Sequence, residues 1–142
     1  MLVAPGFFSP LAVEGSDPRI IRTYWAIADS ALGGSSADFV DLHAYPTGQT
    51  LAAEMASFEI STNKKPLVLG EFGAFKNNYP SLTNAAYAMR DWQIASCRQY
   101  GFDGWLLWTW DTAEQPELWN AMDSGGAING LLAPLARPDP CN

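Results

Sequence analysis

Charge is scarce in this chain of 142 residues: 16 % are Asp, Glu, Lys or Arg, and 8 Lys and Arg stand against 15 Asp and Glu. A net charge of -7 has the wrong sign for tracking phosphates or lying on an anionic membrane, so nucleic acid and membrane are excluded as expected partners. Histidine occurs once, as His43, and cysteine twice, as Cys97 and Cys141. One imidazole builds no multi-histidine zinc site and the cysteines lack metal-ligand spacing, so no metal is expected, while a disulfide between them stays open. No GxxxxGK[ST] or GxGxxG string occurs, which leaves no nucleotide cofactor to expect. No apolar run approaches the ~20 residues that span a bilayer. The opening MLVAPGFFSP also lacks the basic n-region of a signal peptide.

What the chain does have is apolar bulk, 48 % hydrophobic and 13 % aromatic residues, enough for one globular domain over 1–142. Over 17–33, Asp17 suits a cap and Pro18 the first helical position, and Ile20, Tyr24, Ile27, Ala28 and Ala31 recur on one helical face. The segment 38–45 is a short apolar stretch between turn residues and predicts a strand. A weaker helical pattern follows over 49–60. PLVLGEFG at 66–73 is too short for a helix and continuously apolar, as a buried parallel strand is. The pattern over 81–100 predicts a helix stopped by Gly101, and 103–109 predicts another strand. A short helical piece is expected at 117–122, and a first short strand within 2–8. This alternation argues for βαβ units and a parallel sheet. Four units of about 31 residues fit the chain, and eight do not.

In such architectures functional groups gather at the carboxyl ends of the strands. Here those ends carry His43 and Tyr45, then Glu71, then Trp108 and Trp110. Strict alternation would put Asp41, His43 and Tyr45 on one face of their strand and Leu67, Leu69 and Glu71 together on one face of theirs. Neighbouring strands about 4.8 Å apart would bring the Tyr45 hydroxyl within reach of the Glu71 carboxylate. A carboxylate ending an apolar strand needs partners or solvent. Position alone therefore leaves Glu71 either a solvent-facing loop anchor or a held functional group, and His43 either a structural histidine or part of a site. Trp92 and Trp105 read as core or helix-packing residues.

The strings DFVDLHAYP, KPLVLGEFG and GFDGWLLWTWDT together resemble three consecutive strands of the clan A glycoside hydrolases, with the closest likeness to the cellulase-like family 5. The tail GGAINGLLAPLARPDPCN resembles the carboxyl end of such catalytic domains. The resemblance implies the carboxyl-terminal half of a TIM (β/α)8 barrel, strands five to eight, in a retaining hydrolase of a β-glucan such as cellulose. It implies Glu71 as nucleophile, Tyr45 and His43 as its positioning residues, and Trp108, with Trp110, as a sugar platform. A β-linked oligo- or polysaccharide would be the substrate, no cofactor would be needed, and the family is secreted.

The family's general acid/base lies in an Asn-Glu-Pro motif on its fourth strand, and no such string occurs here. Glu14, Glu54, Glu59, Glu114 and Glu117 lack that context. A half-barrel with unpaired edges is expected to close as a homodimer or with an amino-terminal half-barrel. The isolated chain is then expected to be inactive or very weak as a cellulase-like endo-β-glucanase. The competing expectation is a non-catalytic carbohydrate-binding or assembly module, and a third is an unrelated small α/β protein.

Overall fold

A computed structural model describes residues 2, 4, 6–8, 36–45, 52–53, 65–110, 113 and 115–132. Within them run β1 (Gly6–Phe8), β2 (Val40–Ala44), β3 (Leu67–Phe72), β4 (Ala74–Phe75), α1 (Leu82–Tyr100), β5 (Gly104–Leu107), β6 (Leu118–Trp119) and α2 (Asp123–Leu132). The expected mixed α/β class with a parallel sheet is what the structure has. Its four strands lie in the order β1-β2-β3-β5, each parallel to its neighbour.

The sheet buries one face. Val40, Leu42 and Ala44 of β2 and Leu67, Leu69 and Phe72 of β3 form a core with Ala85, Ala86, Met89 and Trp92 of α1, joined by Ile128 and Leu132 of α2. Full burial of each large apolar side chain there contributes about 1.5–3 kcal/mol. The edge of Trp105 against Phe72 and that of Tyr79 against Trp92, both T-shaped, extend this core. Buried Gln93 donates to the Leu132 carbonyl at 3.3 Å and pins α2 to α1.

Local chemistry sets the limits of α1. The Ser81 hydroxyl accepts from the Asn84 N–H at 3.2 Å, and Gly101 closes the helix in the left-handed region at φ 69°. The chain then turns directly into β5. Asp103 fixes that entry, accepting from the Leu67 N–H through its carboxylate at 3.1 Å and donating its own N–H to the Leu67 carbonyl at 2.8 Å.

Several expectations need correction. The 117–122 segment is not helical: Leu118–Trp119 pairs antiparallel with Ala74–Phe75, braced by the Lys76 N–H donating to the Glu117 carbonyl and by the Lys76 ammonium over the Trp119 ring. The first strand shortens to Gly6–Phe8, and the last ends at Leu107. An unexpected α2 follows, interrupted early by left-handed Ser124, Gly125 and Gly126. Strict alternation also fails in β3. Leu42 pairs with Leu69 but His43 pairs with Glu71, so Gly70 is an extra, bulged residue. Leu67 and Leu69 face the core, while Glu71 turns to the opposite face beside Asp41 and His43. The helix expected over 17–33 lies outside the described residues, as does that over 49–60 except for helical Ala52 and Ala53.

Candidate active site

The face of the sheet opposite the core brings three of the five predicted residues into one cluster. Tyr45 follows β2, buried at 9 % exposure, with its ring tilted against Phe75 at 5.7 Å between centroids. Its hydroxyl donates to Glu71 Oε2 at 2.8 Å. His43 Nδ1 lies 3.4 Å from the same oxygen, and His43 Nε2 lies 3.3 Å from Asp41 Oδ2. Tyr45 thus supplies the hydrogen bond to Glu71 Oε2, while His43 Nδ1 lies beside that oxygen without making one. Among the described residues no group hydrogen-bonds Oε1, so one oxygen is held and the other is available.

Burial, then the hydrogen bond to Glu71, then the negative charge of Glu71 push the Tyr45 phenol well above its ordinary range. Tyr45 therefore stays a neutral donor through and beyond neutral pH. Among the described residues no Lys or Arg pairs with Glu71, so a neutral phenol donor and an adjacent imidazole flank the carboxylate.

Close backbone approach makes the cluster possible. A Cβ on Gly73 would meet the Trp108 carbonyl and the Tyr45 ring, and a Cβ on Gly70 would collide with the Asp41 carboxylate. Gly6 of β1 lies under the His43 ring in the same way.

Trp108 follows β5, and its N–H donates to the Phe72 carbonyl at 2.9 Å, which sets it beside the end of β3. The indole Nε1–H donates to Gln115 Oε1 at 2.9 Å, fixing the plane of the ring. Trp110 is 62 % exposed, and its side chain makes no hydrogen bond or ring contact with the described residues. The loop that carries both is braced by Ala121 and Met122 N–H groups donating to the Thr109 and Trp110 carbonyls. The cluster thus contains His43, Tyr45 and Glu71, Trp108 is held by a separate bond, and Trp110 stands apart.

Sequence reasoning passed over Asp41 and Gln115. Asp41 was placed on the His43 face without a role, although two residues apart on a strand is contact distance. Gln115 sits in an irregular loop and carried no signal. Glu117 is exposed beside β6, and Glu14, Glu54, Glu59 and Glu114 lie outside the described residues. No metal-holding group of three or more His, Cys, Asp or Glu occurs among the described residues, and no described helix is long and apolar enough to cross a membrane. Cys97 is disulfide-bonded, and Cys141 lies outside the described residues. No protein-family model, curated protein or solved structure matches the chain.

Proposed function

We propose that this chain is the nucleophile-bearing half of a retaining β-glycoside hydrolase resembling the cellulase-like family 5, built as strands five to eight of a (β/α)8 barrel. The observation that carries the reading is the Tyr45–Glu71 hydrogen bond of 2.8 Å at the ends of adjacent parallel strands, with His43 on the same carboxylate oxygen.

In this reading Glu71 Oε1 forms a bond to the anomeric carbon as the bond to the leaving oxygen breaks, and that oxygen departs with the electron pair. Tyr45 holds Oε2 through its hydrogen bond and His43 lies beside the same oxygen, both as positioning residues. Water then attacks the anomeric carbon of the glycosyl ester, losing a proton, and releases Glu71 as a carboxylate. Trp108, its ring set by Gln115, stacks on a sugar face, with Trp110 offering a second aromatic surface. No cofactor enters the scheme.

Protonation of an ordinary leaving group requires a second carboxyl about 5–5.5 Å from the nucleophile. That group comes from a partner, either an amino-terminal half-barrel or a second copy, which also covers exposed Leu106 and the outer strands β1 and β5. A β-linked glucan outside the cell is the proposed substrate, and the bonded Cys97 suits an oxidising compartment. A non-catalytic sugar-binding module is the second reading, favoured by the exposed Trp110.

Intact-mass spectrometry after incubation with a 2-deoxy-2-fluoro β-cellobioside bearing an activated leaving group tests the proposal, because such a substrate needs no general acid. A glycosyl adduct on the wild type and none on Glu71→Gln is expected. No adduct, with sugar affinity the same in both proteins, refutes the nucleophile and leaves the binding module.

A further inference from the structure

Two anchors of Trp108 trace back to one short run of chain. Its backbone N–H donates to the Phe72 carbonyl at 2.9 Å, and Phe72 follows Glu71 directly, so this anchor is tied to the carboxylate. Its indole Nε1–H donates to Gln115 Oε1 at 2.9 Å. Gln115 is distant in sequence, and it reaches the indole from a turn that Lys76 grips.

Three hydrogen bonds define that turn. The Leu118 N–H donates to the Gln115 carbonyl at 3.2 Å and closes residues 115–118 on themselves. The Lys76 N–H donates to the Glu117 carbonyl at 2.8 Å, and the Lys76 ammonium donates to the Pro116 carbonyl at 2.8 Å. β4 and β6 pair over two residues each and reach back only to Leu118, so Lys76 extends their hold towards Gln115. Pro116 has a fixed φ and restricts the residue before it, so a turn gripped at 116 leaves Gln115 few alternatives. The ammonium is itself located, 5.3 Å from the centroid of the Trp119 ring and 3.9 Å from Asp123 Oδ2.

We propose that Lys76 is a positioning residue for the Trp108 ring. Through the Pro116 carbonyl it holds Gln115 on the indole, so that one run from Glu71 to Lys76 sets both the carboxylate and the orientation of the aromatic face. That Trp108 receives a sugar rests on the hydrolase reading, whereas the hold on its ring does not. Lys76 acts without touching substrate, and its loss is felt through Gln115.

Protein labelled with 15N-tryptophan has 6 indole N–H groups, and Trp108→Phe identifies the signal of Trp108. Lys76→Met keeps an apolar stem over Trp119 and removes the ammonium. Its Trp108 signal is expected to move towards the position found in Gln115→Ala and to return in Lys76→Arg, whose guanidinium can reach the same carbonyl. The Trp92 and Trp105 signals should stay in place, reporting an intact core. Affinity for a cello-oligosaccharide is expected to fall about threefold in Lys76→Met, whose lost bond is partly exposed, and about fivefold in Gln115→Ala. The double variant should lose about fivefold rather than about fifteenfold, because one residue works through the other. A Trp108 signal unmoved in folded Lys76→Met overturns the proposal, as do losses that multiply in the double variant. Should Lys76→Met fail to fold, the wild type decides: Lys76 ε-methylene protons held over Trp119 are shifted upfield by its ring, and random-coil values overturn the proposal. A wild type that binds no cello-oligosaccharide, with the Trp108 signal still moved by Lys76→Met, would refute the sugar reading alone.

Discussion

Replacing Tyr45 by Phe keeps the buried ring against Phe75 and removes only the hydroxyl that donates to Glu71 at 2.8 Å. Hydrogen bonds to charged acceptors contribute about 1.5–3 kcal/mol, and partial exposure of Glu71 reduces this, so at neutral pH the variant should be about 1 kcal/mol less stable. The pH dependence is the sharper test. In the folded protein the phenol sits above its unfolded value of 10.0, through burial first and Glu71 second. Its stabilising contribution is present in full below pH 10 and is lost as pH rises from there towards the folded value, because the unfolded chain alone releases the proton. Over the first pH unit above 10 that loss reaches at most about 1 kcal/mol. Phenylalanine has no proton to release, so the stability gap between wild type and Tyr45→Phe should close between pH 10 and pH 11. Burial also raises the Tyr79 phenol, but Tyr79 is present in both proteins and cancels. Urea titrations of both proteins at pH 8, 10 and 11 measure the gap. A gap that stays constant or widens would mean that Tyr45 ionises normally in the folded state, and the inward-held donor would be wrong.

Gly101→Ala forces a side chain into the left-handed region at φ 69° and should lower unfolding free energy by about 1–2 kcal/mol in urea, with α1 otherwise intact. Leu69→Ala empties a fully buried position between β3 and α1 and should cost about 2–5 kcal/mol, read as a lower urea midpoint at unchanged slope. Gln115→Ala removes the acceptor that fixes the Trp108 indole, so affinity for a cello-oligosaccharide, followed by tryptophan fluorescence, should fall about fivefold while Glu71 labelling persists. Light scattering should find a species larger than the monomer at micromolar concentration, and a strictly monomeric, folded chain would sink closure by a second copy.

Local sequence carried much of the sheet and α1. Leu67 to Phe72 is apolar enough to allow only a buried strand, and Ser81 and Gly101 mark the ends of α1 by capping chemistry alone. The meeting of Tyr45 with Glu71 followed from strand spacing once parallel order was assumed. What local pattern did not carry is set by distant pairing. β4 and β6 are two residues each and exist because Ala74 and Phe75 find Trp119 and Leu118 across intervening α1 and β5. No window around residue 118 contains that information. Likewise Gly125 and Gly126 distort the start of α2, yet Ile128 and Leu132 bury in the core that α1 also lines. A lone glycine within an apolar strand was the one available sign of the bulge beside Glu71.

That bulge ties the core to the site. Were β3 regular, Glu71 would follow Leu67 and Leu69 onto the helix-facing side, among Met89 and Trp92, where an unpaired carboxylate costs several kcal/mol. One extra residue at Gly70 sends Glu71 to the face opposite the core and returns Phe72 to the core, fully buried, so the apolar layer stays continuous. The register shifts against both neighbours: Leu69 pairs with Trp105 and Phe72 with Leu107, leaving two residues of β3 opposite one of β5. The absent side chain at 70 simultaneously admits the Asp41 carboxylate beside His43. A residue with a Cβ there would disturb the polar cluster while sparing the core packing, whereas a deletion there would remove the bulge and leave Glu71 on the face opposite the core, since Leu69 and Glu71 would then be successive residues of a regular strand. Phe72 inward for the core and Glu71 outward for the cluster are therefore one demand on this strand, and with Gly70 present a bulge is the conformation that meets it.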